Sequence, residues 1–337
     1  MNALEILDIL CRCDGVAGQE NAAALKAMEL LSPYAECKMD KMGNVVGTVG
    51  SGDEHILLDA HIDQIGLIVT GITDEGFLRF TRSGGVDIRT LTGSEVTVYG
   101  KEKVTGIICN LPADERKDGL LPDIDECFID VGLSAETAKK LIPPGSFVSI
   151  SQPPVNLQNG LFCSKSIDDR AGIAALILCA QALSGKELPC KVSFLFSCQE
   201  ETGALGATTA AFSINPTRAV AVDVSFAHTP GCNEYECGKL SKGPMIGVSP
   251  VLNSDISRLL ADLAKNDGME HQVEVMGDST GTNADDIAVT RCGVMCGLVS
   301  IPIKYMHTGV EVVDPKDITD TARLLELYVL KGGERNV

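Results

Sequence analysis

The stretch Val192-Ser193-Phe194-Leu195-Phe196-Ser197-Cys198-Gln199-Glu200-Glu201-Thr202-Gly203 decides the reading of this 337-residue chain. Its first half is a near-continuous apolar run, as expected of a strand buried on both faces of a parallel sheet, and small residues able to start a helix follow it. Two adjacent carboxylates therefore stand at the carboxyl end of a strand, where open α/β sheets bind ligands. Neighbouring acids there invite a division of labour: one can hold a metal while the other stays free to carry a proton. An isolated Glu-Glu pair equally fits a solvated turn, so the decision rests on the rest of the chain.

Upstream, Ile56-Leu57-Leu58-Asp59-Ala60-His61-Ile62-Asp63 is a second buried run that turns polar at its end. His61 and Asp63 are two apart and share a face of an extended chain, which suits an Asp that takes one ring N–H and fixes the tautomer. Downstream, Arg218-Ala219-Val220-Ala221-Val222-Asp223 is a third such run ending in an acid, and the last strand leads to Tyr305-Met306-His307. Ser166-Ile167-Asp168-Asp169-Arg170-Ala171-Gly172 opens a helix reaching about residue 183, and its dipole favours carboxylates at that end. Further helices are expected at residues 3–12, 21–31, 284–291 and 315–330, a hairpin turn at Gly43-Asn44, and strands at residues 273–275 and 294–299. Between residues 66 and 151 the texture changes. Short β-like runs (67–72, 77–81, 95–99, 104–109, 128–131, 146–150) alternate with turns, and residues 112–125 read as an exposed loop. The pattern is that of a small β-rich domain inserted into an α/β chain.

Length and composition agree with one large domain plus a smaller one. At 45% hydrophobic and 22% charged residues the chain is globular rather than disordered. A formal charge of -18 removes the basic footprint that nucleic acid or an anionic membrane requires. Thirteen cysteines without a repeated spacing do not form a disulfide framework, and neither a signal segment nor a membrane span is visible, so a soluble cytoplasmic protein is expected.

Laid end to end, the candidates are His61, Asp168, Glu201, Asp223 and His307, with Glu200 spare. Two imidazoles and three carboxylates suit borderline divalent metals such as Zn²⁺, Co²⁺ or Mn²⁺. For two ions, one carboxylate must bridge, and such a pair activates water and polarises a carbonyl. Glu200, beside Glu201, is then placed to take the proton from water and deliver it to a leaving amine.

The ordered combination His61-x-Asp63, Asp168-Asp169-Arg170-x-Gly172, Glu200-Glu201-x-Gly203, Asp223 and Tyr305-x-His307 resembles the co-catalytic dinuclear metallopeptidases. Within them it is similar to the family of bacterial glutamyl aminopeptidases, deblocking aminopeptidases and archaeal tetrahedral aminopeptidases, some of whose members have been labelled endoglucanases. The likeness covers nearly the whole chain, including Gly84-Gly85-Val86-Asp87 and Pro143-Pro144-Gly145 near the ends of the insert. It implies a mixed-sheet α/β metallo-exopeptidase domain with helices on both faces (residues 1–66 and 155–337) and an inserted, barrel-like β domain (67–154) that mediates self-assembly. It further implies two divalent ions per subunit, with His61, Asp168 and Asp223 serving one. Asp168 would bridge to the second, which Glu201 and His307 also hold. Glu200 would be the general base and acid, Asp63 the partner of His61, and Asp169 a supporting acid or a cap. The substrates would be short peptides, and the assembly a homo-oligomer, commonly a hollow tetrahedral dodecamer.

Four positions depart from the family pattern: Val86 in place of an aromatic residue, Asn283 of an Asp, Lys304 of an Arg and Gly309 of a Pro. None is a proposed ligand, and they bear on substrate preference and assembly. His55 and His271 read as surface residues, and Cys198 as a packed strand cysteine rather than a nucleophile. An amidohydrolase or deacylase acting on acylated amino acids fits the same metal ligands, whereas an inactive metal-binding assembly protein predicts a damaged ligand or a missing base, and the sequence has neither. Glycoside hydrolysis fits poorly, because acids committed to metal do not supply its freely placed pair.

Overall fold

The computed structural model describes residues 1–112 and 122–332. The chain opens with α1 (Ala3–Cys11), capped by Asn2, and α2 (Asn21–Leu31). A hairpin of β1 (Glu36–Met39) and β2 (Val45–Val49) follows, its turn tied by Asp40, which accepts from the amides of Met42 and Asn44. The buried run around Leu57 becomes β3 (His55–His61), which ends two residues before Asp63.

The inserted region holds β4 (Gly66–Ile72), β5 (Leu78–Ser83), β6 (Glu95–Tyr99), β7 (Lys103–Asn110), β8 (Cys127–Asp130), α3 (Ala135–Leu141) and β9 (Phe147–Ile150). Its six strands close into a barrel in the order β4-β5-β8-β7-β6-β9, filled by residues such as Leu67, Val96, Val98, Ile108 and Ile129. Closure leaves no open edge, which is how so short a β segment builds its own core. Most of the stretch 112–125 lies outside the described residues, and Ile124–Glu126 forms a single 3-10 turn.

The remaining elements are β10 (Val155–Asn156), β11 (Phe162–Ser164), α4 (Ile167–Leu183), β12 (Lys191–Ser197), α5 (Leu205–Ile214), β13 (Arg218–Phe226), β14 (Met245–Val248), α6 (Ser254–Asn266), β15 (Gln272–Val275), α7 (Asn283–Ala288), β16 (Met295–Lys304), β17 (Glu311–Val313) and α8 (Pro315–Leu327). With β1 to β3 they make one mixed sheet of eleven strands, along the path β1-β2-β12-β3-β13-β16-β17-β11-β10, with β14 paired to β16 and β15 to β14. Its centre, β12-β3-β13-β16, is parallel. Alternation along these strands separates two cores. Ile56, Leu58, Val220 and Val222 pack with α1, α2, α4 and α8, while Leu57, Leu195, Ala219 and Ala221 pack with α5 and α7. The fold is thus a mixed α/β sheet covered on both faces, with a separate antiparallel barrel. All thirteen cysteines are free thiols, and no helix among the described residues is long and apolar enough to cross a membrane.

Candidate metal centre

The parity that aims Leu57 and Ala221 at α5 and α7 carries Asp59, His61 and Asp223 onto the same face at the carboxyl ends of β3 and β13. The His61 ring stands between two partners. Its Nδ1–H donates to the backbone carbonyl of Asp63 at 3.2 Å, and its Nε2 lies 3.0 Å from Asp168 Oδ1 and 3.8 Å from Asp223 Oδ1. The Asp63 carboxylate is 3.6 Å from Nδ1, and its stronger bonds go elsewhere: Oδ1 accepts from the amide of Glu200 at 2.9 Å and Oδ2 from that of Glu201 at 3.1 Å. Asp63 therefore shapes the Glu200-Glu201 turn as well as flanking the ring. Periodicity predicted only the second role, because it assumed that the strand continued past His61.

Asp168 and Asp169 open α4 with non-helical backbone, and regular helix begins beyond them. This lets Asp168 face two ways: Oδ1 meets His61 while Oδ2 lies 3.2 Å from His307 Nε2. Asp169 Oδ1 accepts from the amide of Gly172, whose missing side chain is required, since a Cβ there would stand 2.4 Å from Asp169 Oδ2. That Oδ2 is buried without a hydrogen-bond partner among the described residues. A ligand atom of Asp169 lies within 4.8 Å of those of His61 and Asp223, and Asp168, Glu201 and His307 form a second such group.

His307 is placed from the inserted region and from the strand that follows it. Its Nδ1–H donates to the carbonyl of Gly85 at 3.1 Å, and its Nε2 lies 3.6 Å from Glu201 Oε2. A Cβ on Gly85 would come within 2.5 Å of Nδ1, and one on Gly84 within 3.0 Å of Glu201 Oε2, so the paired glycines are steric requirements of the site. Glu311, buried at the start of β17, accepts from the amides of His307 (2.9 Å) and Asp168 (3.1 Å) and so holds the two loops together. Its role was not read from the sequence, where the only signal is an acid opening an apolar strand four residues after His307.

Electrostatics separate these groups. Burial would depress His61, but bonds to Asp168 and Asp63 outweigh it and hold the imidazole well above its ordinary value. Burial opposes the two histidines at Asp168, and the histidines win, keeping it ionised. For Asp169, Asp223 and Glu311 burial dominates and pushes each carboxyl well up. Burial also lifts Glu201 to about 8 and Glu200 to about 7, with Asp168 adding to each and His61 opposing. Buried acids in such excess over two imidazoles are costly unless cations offset them. With the unpartnered Asp169 oxygen and a mixed N/O donor set, the residues fit divalent metal. Glu200 differs from the other acids of the cluster in that, among the described residues, its carboxylate makes neither a hydrogen bond nor an ion pair; with the five ligand candidates it lines an open cavity of about 580 Å³.

The remaining residues fall outside the cluster. Asn283 donates to Asp59 (2.8 Å) and Ser197 (2.9 Å) beneath it, Val86 sits in the barrel core, and a Cβ on Gly309 would meet Ile150 at 3.1 Å. Cys198 is buried, contacts the carbonyl of Met42 and the Asn44 side chain, and is pushed up to about 12, which leaves no thiolate. His55 is buried rather than at the surface, its Nε2 2.9 Å from Ser193 Oγ.

A sheet that gathers acids and imidazoles at the carboxyl ends of its parallel strands, with a barrel inserted beside them, is the architecture of a metallo-exopeptidase. The family model for M42 glutamyl aminopeptidases matches residues 43–324, and the chain belongs to that family of peptide hydrolases. A lysyl aminopeptidase of Pyrococcus furiosus is 32% identical, the match covering 95% of this chain and 94% of that protein. Among solved structures, an aminopeptidase from Desulfurococcus kamchatkensis superposes with a TM-score of 0.91 at 30% identity, over 98% of this chain and 94% of its own. A Pyrococcus horikoshii TET1 peptidase that can assemble into a tetrahedron or a large octahedral shell superposes with a TM-score of 0.88 at 32% identity, over 98% and 100% of the two chains.

Proposed function

We propose that this protein is a metal-dependent aminopeptidase that removes amino-terminal residues from short peptides, with Glu200 as general base and acid. The observation that carries the reading is the convergence of His61, Asp168, Glu201, Asp223 and His307 around a carboxylate, Glu200, that makes no hydrogen bond or ion pair with any of them. In this reading His61 and Asp223 would hold one ion and Glu201 and His307 the other, with Asp168, in contact with both imidazoles, available to both. The ions are Zn²⁺ or Co²⁺, with Mn²⁺ the alternative. When bound they supply Lewis-acid polarisation of the peptide carbonyl and lower the pKa of water.

The chain's own residues do the rest. Glu200 accepts a proton from the attacking water and returns it to the leaving amine, a role open to a carboxylate that no hydrogen bond or ion pair ties down. Asp63 fixes Glu200 and Glu201 through their amides and flanks His61. Glu311 and Gly85 hold His307 in position from its backbone and its ring.

The protein also works as a homo-oligomer, with the barrel domain (67–154) carrying subunit contacts for the catalytic domain (1–66 and 155–337). Likeness to the Pyrococcus horikoshii peptidase, which can assemble into a tetrahedron or a large octahedral shell, supports a closed homo-oligomer, for which a tetrahedral dodecamer is the form proposed. The family carries a glutamyl name and one relative a lysyl name, so membership leaves the preferred residue open. The test compares a free peptide with its amino-blocked form. Release of free amino acids from the first alone, abolished by a chelator and restored by added Zn²⁺ or Co²⁺, is the expected result. Preference for the blocked form would make the protein a deacylase instead.

A further inference from the structure

The cavity beside Glu200 contains one acid that the metal centre does not use. Glu274 reaches in from β15, at the far side of β14 from β16, and its two oxygens accept from Ser225 Oγ and, at 2.6 Å, from Ser300 Oγ. Each oxygen keeps room for a further donor. Around it the cavity wall mixes the apolar Met276 and Leu298 with the hydroxyls of Thr280 and Thr282, and among the described residues lining it none is Lys or Arg. A half-buried carboxylate supplied with hydroxyl donors alone is a site for a cation.

Its distance from the centre follows from the sheet. Ser300 is the register partner of Asp223, and Ser225 lies two residues beyond Asp223 on the same face of β13. Bonded to both serines, the Glu274 carboxylate thus stands between one strand spacing (about 5 Å) and two residue rises (about 7 Å) from the Asp223 position. An extended lysine side chain spans about 6 Å from Cα to Nζ. We propose that Glu274 selects substrates whose amino-terminal residue is basic, an inference that rests on the aminopeptidase reading above. With the substrate's amino terminus at the metal centre, the stem of a lysine or arginine runs along Met276 and Leu298 and its charge meets Glu274. A glutamyl side chain would meet like charge at the same point.

The experiment measures kcat/KM of the metal-loaded enzyme on Lys, Arg, Leu and Glu p-nitroanilides, for the wild type and for Glu274→Gln and Glu274→Lys. The wild type is expected to favour Lys and Arg over Leu by about tenfold or more, with Glu slowest. Glu274→Gln should cut the Lys-to-Leu ratio by about tenfold, mainly through KM, and Glu274→Lys should move the order toward Glu. A ratio within about twofold of wild type in Glu274→Gln, or a wild type that favours Glu, overturns the inference while leaving the aminopeptidase reading standing. Loss of all turnover in Glu274→Gln with its metal retained would assign Glu274 to the reaction itself and overturn the selectivity role. If the wild type cleaves none of the four, the aminopeptidase reading falls and this inference with it.

Discussion

Asp63→Asn removes one charge and changes no shape, yet it disturbs three members of the site at once. The carboxylate accepts the amides of Glu200 and Glu201 through separate oxygens and lies fully buried. Asparagine keeps one acceptor and turns an N–H₂ toward the other amide, so one charge-assisted bond is lost and a buried donor is left facing a donor. That costs about 2–3 kcal/mol. At about 2.1 cal/mol/K per residue, a chain of 337 residues unfolds with about 0.7 kcal/mol/K, so the metal-free protein should melt about 3–4 °C lower. Because Glu201 and His61 both lose their support, metal affinity should weaken by about 10–100-fold and hydrolysis should fall in step. Differential scanning fluorimetry of the metal-free protein, a competition titration with a chromophoric chelator and peptide hydrolysis read the three effects. A melting point within about 1 °C of wild type together with undiminished metal affinity would refute the argument that Asp63 organises the Glu200-Glu201 turn.

Other perturbations separate the roles further. Glu200→Gln should lower kcat by about 10²–10⁴-fold while metal content stays at the wild-type level; turnover that persists would remove Glu200 as the base. Gly85→Ala sets a methyl 2.5 Å from His307 Nδ1 and should displace the ring, weakening metal binding and hydrolysis about 10–100-fold; wild-type activity would show that the ring has another place to stand. Cys198→Ala should retain turnover within about twofold and iodoacetamide should leave the wild type active, because the buried thiol carries no catalytic charge; inactivation by either would revive the thiol as nucleophile.

Much of this arrangement is legible in the chain. The helix at 21–31 and the strands at 95–99 and 218–223 appear where the apolar pattern places them, because burial is one-sided for the helix, alternates along 95–99 and is complete along 218–223. Strand ends that turn polar announced His61, Glu200, Glu201 and Asp223. Other features were not visible. The amphipathic helix α6 went unread despite its Asn253 cap and the spacing of Ile256, Leu260 and Leu263, and α3 was lost in the β texture of the insert. The helix expected at 284–291 stops at Ala288, where the chain turns toward a left-handed Arg291. Contacts such as Gly85 with His307, more than two hundred residues apart, leave no local trace, since they arise from how the barrel is set against the sheet. The bonds of Asp63 and Glu311 go to backbone amides, which every residue but proline carries, so no side-chain pattern betrays them.

The most direct measurement is a crystal structure of the metal-loaded enzyme, with anomalous diffraction collected at the absorption edge of the bound metal and elemental analysis of the same protein. The account predicts two divalent ions per chain, about 3.5–4 Å apart, one against His61 and Asp223, the other against Glu201 and His307, with Asp168 touching both and Glu200 touching neither. A single ion, ions bound elsewhere, or Glu200 among the ligands would contradict it.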